Sequence, residues 1–314
     1  MASATARHHH YLPQSYLKGF TDGRSKKSKL TVIDTREKNS FATIPRNVGG
    51  KRDFNRIDAD GIDPDSLEKN LSKFESVAAT AMKRVERDKR FEGENRDIVL
   101  NLMALLAIRS PQRREHMRKF YAEIADQIMG LSLATRETWE SQIEAMRRDG
   151  TQVSNQPSYE EMKDFHKRKQ YRFDVRREMH IHMEFVGFET ILPLLDQRNW
   201  TLISRASASG PFITSDSPVV LSWKDESSVP PFYRHSPGFG LRDTIVYFPI
   251  SQDMALLGEF EGQDSTSSVA REGVARMNAL VAHRAYRFLY SPKLNFSLAG
   301  IGGKMISGNI FSDI

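Results

Sequence analysis

Trp200-Thr201-Leu202-Ile203-Ser204-Arg205-Ala206 cannot be read at helical spacing, and it follows a long run of the chain that can. Apolar and polar residues alternate and β-branched ones are frequent, as in a strand with one covered face. The same signature returns at residues 212–214, 219–223, 244–250 and 255–258, each run bounded by Gly, Pro, Ser or Asp. A helix over 269–283 and a last strand over 285–290 complete this region. The tail from Ser291 is rich in Gly and Ser and receives no assignment.

Upstream the period is 3.6. Asp63-Pro64-Asp65-Ser66 reads as a helix start, and Leu67, Leu71, Phe74, Ala78, Ala81, Met82 and Val85 follow at helical spacing. A second helix is expected over 94–109, with Ile98, Leu102, Leu105 and Leu106 inward and Pro111 at its end. Residues 113–148 are helical in pattern again. The polar break at 150–157 then leads into Ser158 ahead of Glu160 and Glu161, a helix-start signature. The helix that follows is expected to run through Phe188 toward Leu195, with a bend near Pro193.

Nearer the start, Pro13 precedes a turn in which Tyr16, Leu17 and Phe20 share a face, so a short helix should end near Gly19. Leu30-Thr31-Val32-Ile33-Asp34 and Phe41-Ala42-Thr43-Ile44 flank a polar loop and predict a hairpin. The fold class is therefore α+β. An N-terminal short helix and hairpin (1–60) leads to a central bundle of long helices (61–198). A mostly antiparallel C-terminal sheet with one or two covering helices follows (199–314), and all three are expected to form one composite unit.

Composition narrows the chemistry. Among 314 residues there is no cysteine, which excludes disulfides, thiolate nucleophiles, iron–sulfur clusters and cysteine-ligated zinc. A metal would have to sit on His, Asp, Glu or water. Lys and Arg number 46 against 40 Asp and Glu, a net charge of +6, which suits a nucleic-acid or nucleotide partner without requiring one. The absence of an apolar leader and of any long uncharged apolar run predicts a cytoplasmic protein with no membrane partner.

Four positions are candidates for catalysis. His9 and His10 offer imidazoles that titrate near neutrality and ligate metals when neutral; the structural alternative is a helix cap or a bond to a backbone carbonyl. Arg109, in Arg109-Ser110-Pro111, could fork onto a phosphate or carboxylate, or simply answer the dipole at a helix C-terminus. Asp216 interrupts the apolar run in Phe212-Ile213-Thr214-Ser215-Asp216-Ser217-Pro218. It could bind a metal, orient a histidine or act as a base, or take backbone N–H groups in a turn. Gln14 and Arg113 are candidate substrate contacts. A basic stripe through Lys169, Arg172, Arg176 and His180 is a candidate phosphate-contacting face or a solvated one.

Several motifs fail on chemistry. No serine sits in a Gly-x-Ser-x-Gly elbow, so a Ser-His-Asp hydrolase is disfavoured. Gly49-Gly50 and the glycines of 300–303 lack the lysine and threonine of a phosphate loop. His180 and His182 lie two apart, so on a helix they point about 200° away from each other and cannot share an ion.

The order of these motifs carries a resemblance. His9-His10-Tyr11-Leu12-Pro13-Gln14-Ser15-Tyr16-Leu17-Lys18-Gly19-Phe20, the strand Leu30 to Asp34, Arg109-Ser110-Pro111 and Phe212 to Pro218 resemble the bacterial family known as domain of unknown function 4238. Phe248-Pro249-Ile250-Ser251 and residues 278–290 fit its C-terminal part. The resemblance names no reaction; by position it singles out His9, His10, Pro13, Gln14, Arg109 and Asp216. The expectation drawn is a hydrolase of a phosphodiester or nucleotide, metal-dependent on a divalent ion or His-based, of the kind used as a nuclease-like effector in bacterial conflict or phage defence. The competing expectation is a non-catalytic module for nucleic acid or protein, with the same residues structural.

Overall fold

The computed structural model describes residues 7–151, 157–169, 171–235 and 237–311. Two compact units form, Met1–Pro111 with Ile181–Ile314, and Gln112–His180.

The chain opens with β1 (His8–His10) and α1 (Gln14–Leu17), the latter extended by a 3-10 turn over Lys18–Phe20. Leu17 and Phe20 are fully buried, and burial of each contributes about 1.5–3 kcal/mol. β2 (Leu30–Asp34) and β3 (Asn39–Thr43) form the expected hairpin, Leu30 opposite Thr43 and Asp34 opposite Asn39. β4 (Gly50–Arg52) then returns antiparallel to β1. α2 (Ser66–Asp88) and α3 (Gly93–Ile108) follow and pack on each other.

Next come α4 (Pro111–Ser132), α5 (Arg136–Arg148), α6 (Tyr159–Arg168) and α7 (Arg177–Asp196). The smaller unit has its own core of Leu133, Trp139, Ile143 and Tyr159. A capping box opens α6: Ser158 accepts from the Glu161 backbone while the Glu161 side chain takes the Ser158 N–H.

The C-terminal region holds β5 (Asn199–Arg205), β6 (Thr214–Ser215), β7 (Val220–Trp223), β8 (Thr244–Pro249), β9 (Met254–Glu259) and β10 (Ser265–Val269). α8 (Arg271–Arg284), β11 (Phe288–Ser291), β12 (Ser297–Ala299) and β13 (Met305–Ser307) complete it. Among the described residues five strands order as β10-β5-β9-β8-β7, antiparallel except for the parallel β10–β5 pair. A second sheet, β3-β2-β11-β6, joins the N-terminal hairpin to the C-terminal strands.

One apolar cluster combines side chains of α1, β2, α2, α3, β5 and β8, and another fills the space under α8. Tyr16 links the two sheets. Its buried hydroxyl donates to the Pro249 carbonyl at 2.8 Å and accepts from Thr214 Oγ1 at 2.7 Å, while the ring stacks on Phe248. That places Pro13 to Phe20 as a plug over the ends of β6 and β8.

Five expectations need correction. His9 and His10 sit on strand β1, so the helix-cap alternative does not apply to them. The pattern over 113–148 is two helices, because Thr135 takes the Thr138 N–H as an N-cap and starts α5 afresh. The helix after Ser158 does not continue: Lys169 turns left-handed at φ 51° and ends α6, and α7 begins only at Arg177. The stripe of Lys169, Arg172, Arg176 and His180 is therefore not one helix face; Arg172 and Arg176 are exposed on the non-helical link ahead of α7. The break at 150–157 lies largely outside the described residues. Finally, residues 212–213 are not strand, and regular pairing there is confined to Thr214–Ser215.

Candidate functional site

β1 aims its three histidines to alternate sides, as a strand must. His8 and His10 share one side, with ring centroids 5.0 Å apart. Gly50 lies opposite His10, and a Cβ there would collide with the His8 ring. Gly49 is held at φ +66°, where its missing Cβ also spares Leu12. The glycine pair is the seat of β1 and not a phosphate loop.

His9 points inward and accepts the backbone N–H of Asn55 at Nδ1, 2.9 Å. The Asn55 amide in turn donates to Glu68 at 2.5 Å. His10 is nearly buried, its Nε2 3.2 Å from the Arg46 carbonyl. A carbonyl can only accept, so Nε2 carries the proton and Nδ1 is the basic nitrogen of the neutral ring. Burial lowers the His10 pKa below the ordinary histidine value, although the Arg46 carbonyl opposes the shift.

Arg109 caps the end of α3, as the sequence suggested, but its guanidinium is buried. Nη2 donates to the His10 carbonyl and lies 3.9 Å from Glu75 Oε1 on α2. Glu75 is pushed up to about 7, chiefly because burial penalises its charge, with the Arg109 charge pulling the other way and Glu68 adding repulsion. Thus β1, α2 and the end of α3 bring an imidazole, two carboxyls and a guanidinium together.

Asp216 follows a different course. Its carboxylate takes the backbone N–H groups of Tyr286, Arg287 and Phe288 at 2.9, 2.9 and 3.1 Å. Burial raises its pKa and those three donors oppose the rise. The Arg287 side chain reaches the buried Asp34 on β2, Nε to Oδ2 at 2.8 Å, so the entry to β11 is clamped between two aspartates. Tyr11, which follows His10, responds electrostatically to Asp216 and is pushed up to about 12, mainly by burial.

Of the proposed site residues, then, His9, His10 and Arg109 meet in one cluster, and Asp216 anchors a turn in the same compact unit. Gln14 is the first residue of α1 and half-buried. Arg113, Lys169, Arg172 and Arg176 belong to the other unit. There Lys169 Nζ pairs with Asp126, whose carboxylate also takes the Tyr171 hydroxyl at 2.9 Å.

Glu75, Glu68 and Asn55 escaped the sequence reading. A signal existed: Glu75 stands four residues after Leu71, three before Ala78 and seven before Met82, on the inward stripe of α2. A carboxylate at an apolar-stripe position is a candidate for a shifted pKa. Among the described residues no group of three or more His, Asp or Glu is arranged to hold a metal ion.

An apolar cavity of about 320 Å³ adjoins the cluster between α2, α3 and α7, with Arg109 on its wall beside Leu71, Phe74, Leu105, Ile108 and Phe188. No helix among the described residues is long and apolar enough to cross a membrane.

Fold and cluster together define an α+β protein whose N-terminal strand completes a buried cluster of ionisable side chains. The chain belongs to the family described as Protein of unknown function (DUF4238), whose model matches residues 8–293. No curated protein and no solved structure matches the chain.

Proposed function

We propose that the chain is a hydrolase of a phosphodiester or nucleotide whose reacting groups are His10, Glu75 and Arg109. The observation that carries this reading is that the Arg109 guanidinium donates to the backbone carbonyl of His10, lies 3.9 Å from Glu75 and is felt electrostatically by the His10 ring, which gathers three remote stretches of sequence. Their environments drive the two titratable groups in opposite senses, the pattern of an acid paired with a base. Glu75, at about 7, keeps a protonated fraction at neutral pH, and His10 stays neutral.

In the proposed reaction His10 Nδ1 takes a proton from water as its oxygen attacks phosphorus. The bond from phosphorus to the leaving oxygen breaks, and Glu75 delivers a proton to that oxygen. Arg109 stabilises the charge developing on the non-bridging oxygens. A divalent ion, if the reaction uses one, would add further charge stabilisation. A nuclease-like role in bacterial conflict or phage defence, in the cytoplasm, is the biological setting this chemistry suits.

The test is incubation of the purified chain with RNA, DNA and nucleotides, with and without Mg²⁺, Mn²⁺ or Zn²⁺. Cleavage that disappears in Glu75→Gln while the melting temperature at pH 7 is held or raised supports the reading. A wild-type chain inert toward every substrate and metal overturns it.

The second reading is a non-catalytic module for nucleic acid or protein. What favours it is that His9 and Asp216 both commit side-chain atoms to backbone N–H groups, and that Arg172 and Arg176 are exposed. Retention of RNA or a partner protein without turnover, weakened by Arg172→Gln with Arg176→Gln, would select it.

A further inference from the structure

A second opening in the larger unit lies away from β1, in elements the reacting cluster does not use. It is a cleft of about 600 Å³ between the end of β5, the first residue of α8 and the turn from β11 to β12. That volume is in the range that holds a small organic ligand. Its polar wall carries Arg205, Arg271, Lys293, Asn295, Ser297 and the carboxylate of Asp22.

The charges are not equivalent. Arg205 is neutralised by Asp253, Nε to Oδ1 at 2.8 Å, and also donates to the Ser207 carbonyl at 3.1 Å. Asp22 Oδ1 accepts the Gly23 N–H at 2.8 Å. Arg271 gives Nε to Ser297 Oγ at 3.1 Å. Neither Arg271 nor Lys293 has a carboxylate partner among the described residues. Two cations therefore face a polar cleft with one carboxylate on its wall.

The walls are pre-organised. Asn278, fully buried on α8, donates to the carbonyls of Pro211 and Ser297 at 3.0 Å each and accepts the Ile213 N–H at 3.0 Å. Pro211 and Ser297 both line the cleft, so one buried side chain ties together two segments of its wall. Ser291 Oγ donates to the Lys293 carbonyl at 2.8 Å and so shapes the turn that presents the lysine. A rigid cleft with unpaired cations favours an anion, because little ordering is left to be done on binding.

We infer that this cleft binds a phosphorylated small molecule about the size of a mononucleotide, its phosphate held between Arg271 and Lys293. Pro211 and Pro292 offer apolar surface to the remainder of the ligand. The site is separate from the cluster at β1 and stands whether or not that cluster is catalytic.

Calorimetric titration of the full chain with adenosine monophosphate, ribose 5-phosphate, inorganic phosphate and adenosine tests it. Both organic phosphates are expected to bind, more weakly as salt is raised, whereas adenosine does not. Arg271→Gln and Lys293→Gln should each weaken binding about tenfold. Both side chains are exposed, so the variants should keep the wild-type melting temperature. Glu75→Gln should bind as the wild type does.

The inference is overturned if neither organic phosphate binds at millimolar concentration, or if a chain carrying both Arg271→Gln and Lys293→Gln binds unchanged. Loss of binding in Glu75→Gln would move the probe to the other cluster and overturn it too. Inorganic phosphate binding as tightly as adenosine monophosphate would overturn the assignment to an organic phosphate.

Discussion

The cluster at β1 and the clamp at the start of β11 are built from similar residues and treat buried charge in contrasting ways. At the clamp, Asp216 meets three backbone N–H groups, which cannot titrate and scarcely move. At β1, Glu75 meets the Arg109 side chain at 3.9 Å, and its carboxyl remains near 7. A carboxylate that accepts from three backbone donors fixes the turn that carries them. One left under-compensated beside a guanidinium can exchange its proton near neutral pH.

The largest effect expected from this contrast is at the clamp. Asp216→Ala leaves three N–H donors without the buried carboxylate that accepts from them and should cost about 4 kcal/mol in urea unfolding. A loss below about 1 kcal/mol would show that the turn does not depend on the carboxylate, and the contrast would fail.

Glu75 should behave in the opposite sense. Its folded pKa lies above the unfolded one, so the folded state keeps a proton that the unfolded state releases. That contribution is complete below about pH 4.5 and is lost as pH rises through about 7. Glu75→Gln should therefore change little at pH 4.5 and stabilise the chain at pH 9 by up to roughly 3 kcal/mol. Melting curves across that range check it, and a uniform destabilisation would break the comparison.

His9 tests whether the β1 cluster has a structural half of its own. His9→Ala removes the acceptor for the Asn55 N–H and should cost about 1–2 kcal/mol, read by the same unfolding experiment. The smallest effect belongs to His10. Its folded pKa is lowered, so the unfolded state takes up a proton first as pH falls, and stability drops below about pH 6.5. His10→Asn should flatten the fall in melting temperature between pH 7 and pH 5; an unchanged slope would mean that the imidazole is not desolvated.

Much of the frame was legible because it rests on local patterns. The hairpin of β2 and β3, the stripe of α2 and the strands β5, β7, β8 and β9 all follow from periodicity and turn residues. β1 was hidden because three consecutive histidines carry no alternation. β10 was hidden because Ser265-Thr266-Ser267-Ser268 is polar and exposed and only Val269 at its end is apolar, so no apolar face marks it. The breaks before α5 and after α6 contain neither Gly nor Pro; an N-cap threonine and a left-handed lysine make them.

For the candidate site the division falls elsewhere. His9, His10, Arg109 and Asp216 stood out as polar residues inside apolar surroundings, which is a local property. Which of them are answered by backbone and which by another side chain is decided across separations such as 34 residues between Glu75 and Arg109, and 70 between Asp216 and Tyr286. The amino-acid order alone determined the helix and strand periods, the absence of thiol chemistry and the positions where polarity interrupts the core. Only the folded chain decided that Glu75 completes the β1 cluster while Asp216 closes a turn. Desolvation and partner distance are properties of packing, and a linear pattern carries neither.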